Sequence, residues 1–206
     1  MNIGIIGSGN IGATAARLFA STGHNVAISN SRGPESLRDL VSDIGGNVHA
    51  ATVDEAEDFG DVVLLAIPLY TYEKLPADRF AGKIMVDANN YYPGRDGEMD
   101  FDGRTSSEAL SEYLPGARLV NAFNTMYYGT LATQGRKSGQ DRLLLFVAGD
   151  DEDAKATVSR LIRDIGFTPV DTGSLAEGGS RQQPDSPIYN KPMTEDQARQ
   201  ALGGTD

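Results

Sequence analysis

Six residues near the start of the chain have the types and the spacing to hold a phosphate group. They read Gly7-Ser8-Gly9-Asn10-Ile11-Gly12, which is the pattern G-x-G-x-x-G. In such a turn the first glycine permits a tight bend, the second lets a pyrophosphate approach the backbone, and the third lets a helix pack closely on a strand. The free N–H groups at the start of that helix then attract the anion. The pattern therefore predicts a dinucleotide site in which Gly7 to Ile11 contact the ligand.

The residues on either side of this turn form the elements that must position it. An apolar run, Ile3 to Ile6, leads into the turn, and apolar residues at helical spacing follow it at Ala15, Leu18 and Phe19. A second run, Asn25 to Ser29, completes a strand-helix-strand unit. This order is the context that a dinucleotide turn requires. It argues against the alternative, a glycine turn that holds no ligand.

The end of the second strand indicates which dinucleotide binds. Sites for NAD normally place an acidic residue there to bind the ribose 2′-hydroxyl, whereas sites for NADP accommodate a 2′-phosphate with arginine. The residues here are Asn30, Ser31 and Arg32. Arg32 can bind a phosphate through two parallel hydrogen bonds, and Ser31 can donate a further one. The alternative is that Arg32 is a solvated surface arginine. The absence of an acidic residue at this position is an independent argument against an NAD site. We therefore predict NADP(H) as the cofactor, bound by these three residues.

A later apolar run predicts a second part of the site. Val62 to Ile67 is apolar without alternation, which is the pattern of a strand buried on both faces of a parallel sheet, and Pro68 ends it. In open α/β sheets, ligands collect at the carboxyl ends of the strands. We therefore expect Ala66, Ile67 and Pro68 to border the cofactor. The alternative is a proline that only ends the strand.

Two further strands are expected to bring side-chain amides to the same edge. Ile84 to Val86 predicts a fifth strand, which Asn89 follows, and a sixth strand, Arg118 to Asn124, ends at another asparagine. We predict that Asn89 and Asn124 contact the cofactor, where such amides can bind the nicotinamide carboxamide or a ribose. The charged loop between these strands, from Gly94 to Gly103, is predicted to be solvated.

Together these elements predict the fold class. It is α/β: a single Rossmann-type, doubly wound, mostly parallel sheet with a short irregular C-terminal tail. The NADP-binding domain is predicted to span residues 1–175. Residues 176–206, which glycines and prolines interrupt, form the tail. The sequence leaves three roles open for it: a lid, a dimer arm or a frayed end.

An acidic cluster in the second half of the chain has two possible interpretations. Asp150 and Asp151 precede an expected helix, Glu152 to Ile165. Such a cluster could hold a cation, but acids at a helix N-terminus are favoured by the helix dipole. We interpret these residues as a cap and predict no metal site.

Composition excludes several classes of function. The 206 residues contain no cysteine, which excludes disulfides and thiol nucleophiles, and the net charge of −11 opposes binding to nucleic acid. No apolar run approaches the roughly 18 residues that a membrane-spanning helix requires. The N-terminus reads as a strand rather than a targeting segment. We expect a soluble, cytoplasmic protein that binds neither nucleic acid nor membrane.

Several short motifs, in this order, resemble those of the F420-dependent NADP oxidoreductase family. The glycine turn and the Ser31-Arg32 pair match the family's dinucleotide signature, and Ala66-Ile67-Pro68 matches its segment beside the nicotinamide. Three later runs are also similar: Asn121 to Thr125, Gly149 to Glu152, and Asp171 to Leu175. The resemblance covers nearly the whole chain. It implies a homodimer that passes hydride between NADPH and a flat acceptor, either deazaflavin F420 or a flavin.

The tail departs from that family's pattern and leaves the acceptor open. Where family members have an apolar segment that covers the acceptor, this chain has the polar run Arg181 to Tyr189. Hydride transfer between two rings needs alignment more than acid-base groups, so no catalytic residue is assigned. A second hypothesis is reduction of a small carbonyl or imine, with Tyr127 or Tyr128 as the proton donor. A third is an NADP-binding sensor without turnover.

Overall fold

The computed structural model describes residues 1–136 and 142–201, and within them eight strands form one sheet. The strands are β1 (Asn2–Ile6), β2 (Asn25–Ser29), β3 (Val48–Ala51), β4 (Val62–Leu65), β5 (Ile84–Asp87), β6 (Arg118–Ala122), β7 (Leu144–Gly149) and β8 (Thr168–Gly173). Their order across the sheet is β3-β2-β1-β4-β5-β6-β7-β8.

Helices connect these strands. The α-helices of the described part are α1 (Asn10–Ser21), α2 (Arg38–Ile44), α3 (Val53–Phe59), α4 (Pro93–Asp96), α5 (Ser106–Tyr113), α6 (Tyr128–Thr133), α7 (Glu152–Asp164), α8 (Glu177–Arg181) and α9 (Glu195–Ala201). Short 3₁₀ segments lie at Pro34–Leu37, Leu69–Lys74 and Ala77–Phe80. No helix in these ranges has both the length and the apolar composition needed to cross a bilayer.

The strand order creates a switch point at the centre of the sheet. The chain runs outward from β1 through β2 to β3, and then returns to place β4 on the other side of β1. All neighbouring strands are parallel except β6 and β7. The predicted α/β fold with a mostly parallel, doubly wound sheet is confirmed. Crevices for ligands form where the chain turns to opposite sides of two neighbouring strands.

Apolar side chains cover both faces of the sheet, which explains the uninterrupted apolar runs in the sequence. One cluster packs α1, through Phe19, and α7, through Val158, against the sheet. Another packs Leu110 of α5 against residues such as Leu65 on the opposite face. Helices on both faces therefore hold the carboxyl ends of the strands at one rigid edge.

Two strands end earlier than the sequence predicts, and both endings shape the site. β4 ends at Leu65 rather than Ile67, because the backbone N–H of Ile67 donates to the Asn89 side-chain Oδ1 at 2.8 Å instead of to a strand. β6 ends at Ala122, because Phe123 adopts a φ of 67°. That left-handed conformation is unfavourable for a bulky side chain and is found mainly where a site requires it.

The acidic cluster acts as the predicted cap. Asp151 accepts a hydrogen bond from the Ala154 backbone N–H at 2.9 Å at the start of α7. The same carboxylate accepts two hydrogen bonds from the Arg118 guanidinium, at 2.6 and 2.7 Å. These bonds from Arg118 hold the pKa of Asp151 well below its usual range. The Asp150 carboxylate instead accepts from the Leu175 backbone N–H at 3.1 Å.

The prediction of a solvated loop from Gly94 to Gly103 is wrong at its start. Residues Pro93–Asp96 form α4, and the Asp96 side chain is fully buried. Its carboxylate accepts hydrogen bonds from Arg95 and from the Tyr92 backbone N–H at 2.9 Å. Because Asp96 pairs with Arg95, the residue before it, this charged segment can bury a carboxylate without leaving an unpaired charge.

The described part of the predicted tail, residues 176–201, packs on the sheet. Ile188 and Met193 join Leu144 and Phe146 of β7 in an apolar cluster. The Leu144 backbone N–H donates to the Met193 carbonyl at 3.0 Å. Between these contacts the chain passes beside the carboxyl ends of the strands, so the tail contributes to the surface where a ligand would sit. The division of the chain at residue 175 stays a prediction.

A buried carboxylate joins α3 to the segment that leads into β5, and a matched pair of variants tests its contribution. Glu57 is 3% exposed and binds Arg79 at 2.8 Å and Lys83 at 3.3 Å, whereas Asp58 is 71% exposed and binds the same arginine. Glu57→Gln should lower the free energy of unfolding by about 2 kcal/mol, because it removes buried charge-assisted hydrogen bonds. Asp58→Asn should lower it by less than about 1 kcal/mol. Urea denaturation measures both, and equal losses would contradict this account of burial.

Candidate functional site

The glycine turn between β1 and α1 needs glycine at two positions for steric reasons. A Cβ atom on Gly12 would lie 1.8 Å from the Gly7 carbonyl oxygen, and one on Gly7 would lie 2.1 Å from the Ala66 carbonyl oxygen. Gly7 also has a φ of 111°. A Cβ on Gly9, by contrast, would meet no protein atom within 4 Å. The first and third glycines thus serve close packing, while the second leaves the backbone open to a ligand.

The start of α1 offers backbone donors beside this opening. Gly9 occupies the N-cap position, no side chain caps the helix, and its first turn contains no acidic residue. The first N–H groups of a helix have no partner within the helix, and the helix dipole places positive charge there. The open backbone at Gly9 and the donors of Asn10 and Ile11 therefore suit an anionic group.

The Asn30 side chain connects the glycine turn to the segment after β2. Its Nδ2 donates to the Ser8 Oγ and to the Ser36 Oγ, each at 3.0 Å. Its Oδ1 accepts from the Arg32 backbone N–H at 2.8 Å. We predicted Asn30 as a cofactor contact, but these bonds give it a different role as well, because they fix the backbone that presents Ser31 and Arg32. Arg32 is exposed and makes no ion pair with the described residues.

A cleft of about 370 Å³ opens at the carboxyl ends of the central strands. Eight of the predicted site residues line it: Gly9, Asn10, Ile11, Ala66, Ile67, Pro68, Asn89 and Asn124. The other five, Gly7, Ser8, Asn30, Ser31 and Arg32, lie outside this lining, at the adjoining ends of β1 and β2. The geometry thus divides the predicted site into a phosphate end beside β2 and a cleft that extends from β1 to β6.

Two asparagines in the cleft each have one buried polar atom without a partner. The Asn89 Oδ1 accepts from the Ile67 backbone, which leaves its Nδ2 unpaired. The Asn124 Nδ2 donates to the Gln182 carbonyl at 3.1 Å, which leaves its Oδ1 unpaired. Backbone partners therefore fix both amide orientations, and both residues are nearly buried, at 5% and 6% exposure. One unpaired donor and one unpaired acceptor thus lie on two described residues that line the same cleft.

A buried acid under the cleft holds Asn89 in place. Asp87, the last residue of β5, is fully buried, and its carboxylate accepts from the Ser107 hydroxyl at 2.6 Å and from the Asn89 backbone N–H at 3.0 Å. Burial raises the pKa of Asp87. On the neighbouring strand end, Phe123 packs edge-on against Phe19, with ring centroids 5.9 Å apart, and its φ of 67° turns the chain towards Asn124.

Sequence reasoning missed four residues that line the cleft: Tyr92, Arg95, Tyr189 and Asn190. The Tyr92 and Tyr189 hydroxyls are hydrogen-bonded to each other, and burial, followed by this bond, raises the pKa of Tyr189 above its usual range. The Asn190 backbone N–H donates to the Thr125 carbonyl at 2.8 Å, which joins the tail to the end of β6. The position of Arg95 after β5 was a usable signal, since ligands collect at such ends.

The two tyrosines predicted as possible proton donors also line the cleft. Tyr127 and Tyr128 have ring centroids 4.5 Å apart, and Tyr127 is 55% exposed. The hydrogen bond between them raises the pKa of Tyr127. They form the outer wall, whereas the Tyr92–Tyr189 pair lies deeper.

Residues 2–91 match the family described as NADP oxidoreductase, coenzyme F420-dependent. The N-terminal part of the chain therefore carries the sequence pattern of this family. A solved hypothetical protein from Sinorhizobium meliloti is 36% identical, with a TM-score of 0.84 over 95% of this chain and 96% of its own. A candidate F420-dependent NADP reductase from Arthrobacter sp. FB24 is 25% identical, with a TM-score of 0.76 over 95% and 100%.

The chain is also similar to part of longer proteins that are named as metalloreductases. Metalloreductase STEAP3 of Rattus norvegicus is 32% identical over 176 residues, which are 84% of this chain and 34% of that protein. The chain therefore spans about a third of the length of the curated relatives it matches. The residues that match the family, 2–91, include the glycine turn and Asn89, but not Arg95, Asn124 or Tyr189. The far wall of the cleft lies beyond the family match.

The different roles of Gly9 and Gly12 can be tested by measuring the stability of variants. Gly12→Ala should lower the free energy of unfolding by about 3 kcal/mol or more, because its Cβ would overlap the Gly7 carbonyl. Gly9→Ala should lower it by no more than about 1 kcal/mol, since the space is open and only the helix cap changes. Guanidinium denaturation measures both. If Gly9→Ala destabilised the fold as much as Gly12→Ala, the turn would not have the geometry described.

Proposed function

We propose that the chain is an NADP(H)-dependent oxidoreductase that passes a hydride from NADPH to a flat acceptor, such as deazaflavin F420 or a flavin. The observation that carries the proposal is an unpaired donor, Asn89 Nδ2, and an unpaired acceptor, Asn124 Oδ1, on two residues that line the cleft beside the glycine turn. An unsatisfied buried polar atom costs about 1–3 kcal/mol, so a ligand that pairs both gains that energy.

The chemistry of this atom pair fits a primary carboxamide. A carboxamide oxygen accepts from an amide N–H, and its NH₂ group donates to an amide oxygen. Nicotinamide carries one carboxamide, so Asn89 and Asn124 would fix the orientation of the ring in the cleft. Ile11, Ile67 and Met126 add apolar surface that excludes water around it.

The opposite end of the surface fits the phosphates. The pyrophosphate would approach the open backbone at Gly9, and the donors at the start of α1 would bind it. The 2′-phosphate would lie beside Ser31 and Arg32, where the Asn30 hydrogen bonds hold the backbone in place. Arg32 has no competing carboxylate partner among the described residues, so its guanidinium is available for the phosphate.

Bound NADPH supplies the hydride, and the residues of the chain supply alignment. With the ring held by two amides and backed by apolar side chains, an acceptor stacked on it would lie close to the hydride donor carbon. Such positioning can provide a large part of the rate without an acid or base. The family match and the similarity to proteins named as NADP and metal reductases support this reading.

Cofactor choice can be tested at Arg32 with a matched arginine as the control. Arg32→Ala should weaken NADPH binding by roughly 10- to 100-fold and leave NADH binding within about 3-fold, because only NADPH carries the phosphate. Arg38→Ala is the control, since Arg38 is 74% exposed and pairs with Glu35 nearby. It should leave both affinities unchanged. Fluorescence titration of each nucleotide measures them, and an equal loss for NADPH and NADH in Arg32→Ala would refute this assignment.

A second function is favoured by one specific observation. The Tyr92–Tyr189 hydroxyl pair lies in the cleft, where one of the two hydroxyls could donate a proton during reduction of a small carbonyl or imine. A sensor that binds NADPH without turnover is the third candidate.

One assay separates the three candidates. NADPH oxidation is followed by absorbance with flavin, deazaflavin, ferric and carbonyl or imine acceptors, for the unmodified chain and for Tyr189→Phe. We expect oxidation with flavins or deazaflavins and a change of less than about 3-fold in Tyr189→Phe, since ring-to-ring transfer needs no tyrosine proton. Turnover of carbonyls or imines that Tyr189→Phe abolishes would favour the second function. Tight binding without oxidation of any acceptor would favour the sensor.

A further inference from the structure

Arg95 is the charged residue of the cleft. The described residues that line the cleft include no aspartate or glutamate, although the chain as a whole carries a net charge of −11. A lining without acids in such an acidic chain favours an occupant that is electron-rich or that gains negative charge.

The Arg95 guanidinium is held rigidly at the edge of the cleft. Its Nε and Nη2 donate to the buried Asp96 carboxylate at 2.9 and 2.7 Å, and Nη2 also donates to the Asn90 carbonyl at 2.6 Å. Its central carbon lies 5.0 Å from the centre of the Tyr92 ring. The hydrogen bond to Asp96 raises the pKa of Arg95, so the group stays charged. Nη1 makes no hydrogen bond within the described part of the chain, and the side chain is 43% exposed.

Arg95 lies away from the predicted phosphate site, so the 2′-phosphate is not its partner. Arg32 follows β2 and Arg95 follows β5, and β1 and β4 lie between them. Three strand spacings of about 4.8 Å separate the two strand ends by about 14 Å. In the proposed arrangement the phosphates lie beside β1 and β2, and the nicotinamide lies between Asn89 and Asn124. Arg95 is then beside the acceptor.

We infer that Arg95 binds the edge of the acceptor's ring system at which negative charge forms. This contact selects flat acceptors that become anions when they accept a hydride. This inference rests on the proposed function. A pyrimidine-dione ring fused into a flavin or deazaflavin is an edge of this kind. Tyr92 and Tyr189 place flat aromatic side chains beside the guanidinium.

The charge balance of the transfer shows why a cation there would matter. A C–H bond of the nicotinamide breaks with its electron pair, and a new bond to hydrogen forms at the central ring of the acceptor. NADPH is oxidised to NADP⁺, and the acceptor gains two electrons and one negative charge, which resides on its pyrimidine-dione edge. A proton from water later neutralises that edge. A preorganised N–H donor aimed at developing charge stabilises the transition state as well as the product.

The experiment compares two acceptors that differ in the charge of the product. Riboflavin becomes an anion when it accepts a hydride, whereas methylene blue is a flat cation that becomes neutral. In Arg95→Gln, kcat/KM for riboflavin should fall by roughly 10- to 100-fold, because a hydrogen bond to a charged edge is lost. For methylene blue it should change by less than about 3-fold. Arg95→Lys keeps a cation beside Asp96 and should retain riboflavin reduction to within about 10-fold of the unmodified chain.

Controls separate this role from a structural one. Arg104→Gln removes an exposed arginine whose partners, Asp102 and Glu112, lie outside the cleft, and it should leave both rates unchanged. Thermal melting and NADPH titration of each variant report on folding and on cofactor binding. Equal losses with riboflavin and methylene blue in Arg95→Gln would overturn the inference.

Two further outcomes would also overturn it and show which part failed. If Arg95→Gln slowed reduction of flavin mononucleotide but not of riboflavin, Arg95 would bind the phosphate of the acceptor and not its ring edge. If the unmodified chain failed to bind NADPH or to reduce any acceptor, the proposed function would fall, and this inference with it. If only the inference is wrong, the unmodified chain still binds NADPH and still reduces methylene blue.

Discussion

The site depends on one close contact between backbones. α1 can begin immediately after β1 only because Gly12 lies against the Gly7 carbonyl, at a distance that no other residue allows. That contact places the start of α1, with its unpaired N–H groups, over the switch point between β1 and β4. The same geometry leaves open space beside Gly9, where an added Cβ atom would meet no protein atom within 4 Å. Close packing thus creates an anion-binding surface without a positively charged side chain.

The remaining parts of the site are residues that follow β2, β5 and β6, and hydrogen bonds to their neighbours hold them in place. Asn30 fixes the segment of Arg32, Asp87 fixes Asn89, and the Asn124 side chain is oriented by the Gln182 carbonyl. Three segments proposed to touch a ligand are therefore each oriented by another group. Such preorganisation reduces the entropy lost on binding and keeps a reactive geometry narrow. It also gives a reason for the burial of polar residues such as Asp87, Asn89 and Asn124, which packing alone would not favour.

The sequence predicted the part of this arrangement that local patterns encode. The glycine turn, the strands β1, β2, β4, β5 and β6, and the capping of α7 follow from spacing, apolar runs and cap residues, and the structure agrees. The early ends of β4 and β6 were not predictable, because they depend on a side chain from another strand and on a strained Phe123. Tyr189 was missed for the same reason, because its place in the cleft depends on a hydrogen bond with Tyr92, 97 residues earlier in the chain.

The central claim is that a reduced dinucleotide lies across the glycine turn and into the cleft. Amide hydrogen exchange of the unmodified chain, with and without saturating NADPH, tests it most directly, because ligand contact slows exchange at the amides it covers. The account predicts slower exchange at Gly7 to Ile11, at Asn30 to Arg32 and at Asn89. Unchanged exchange at the glycine turn, or protection confined to a different edge of the sheet, would contradict it.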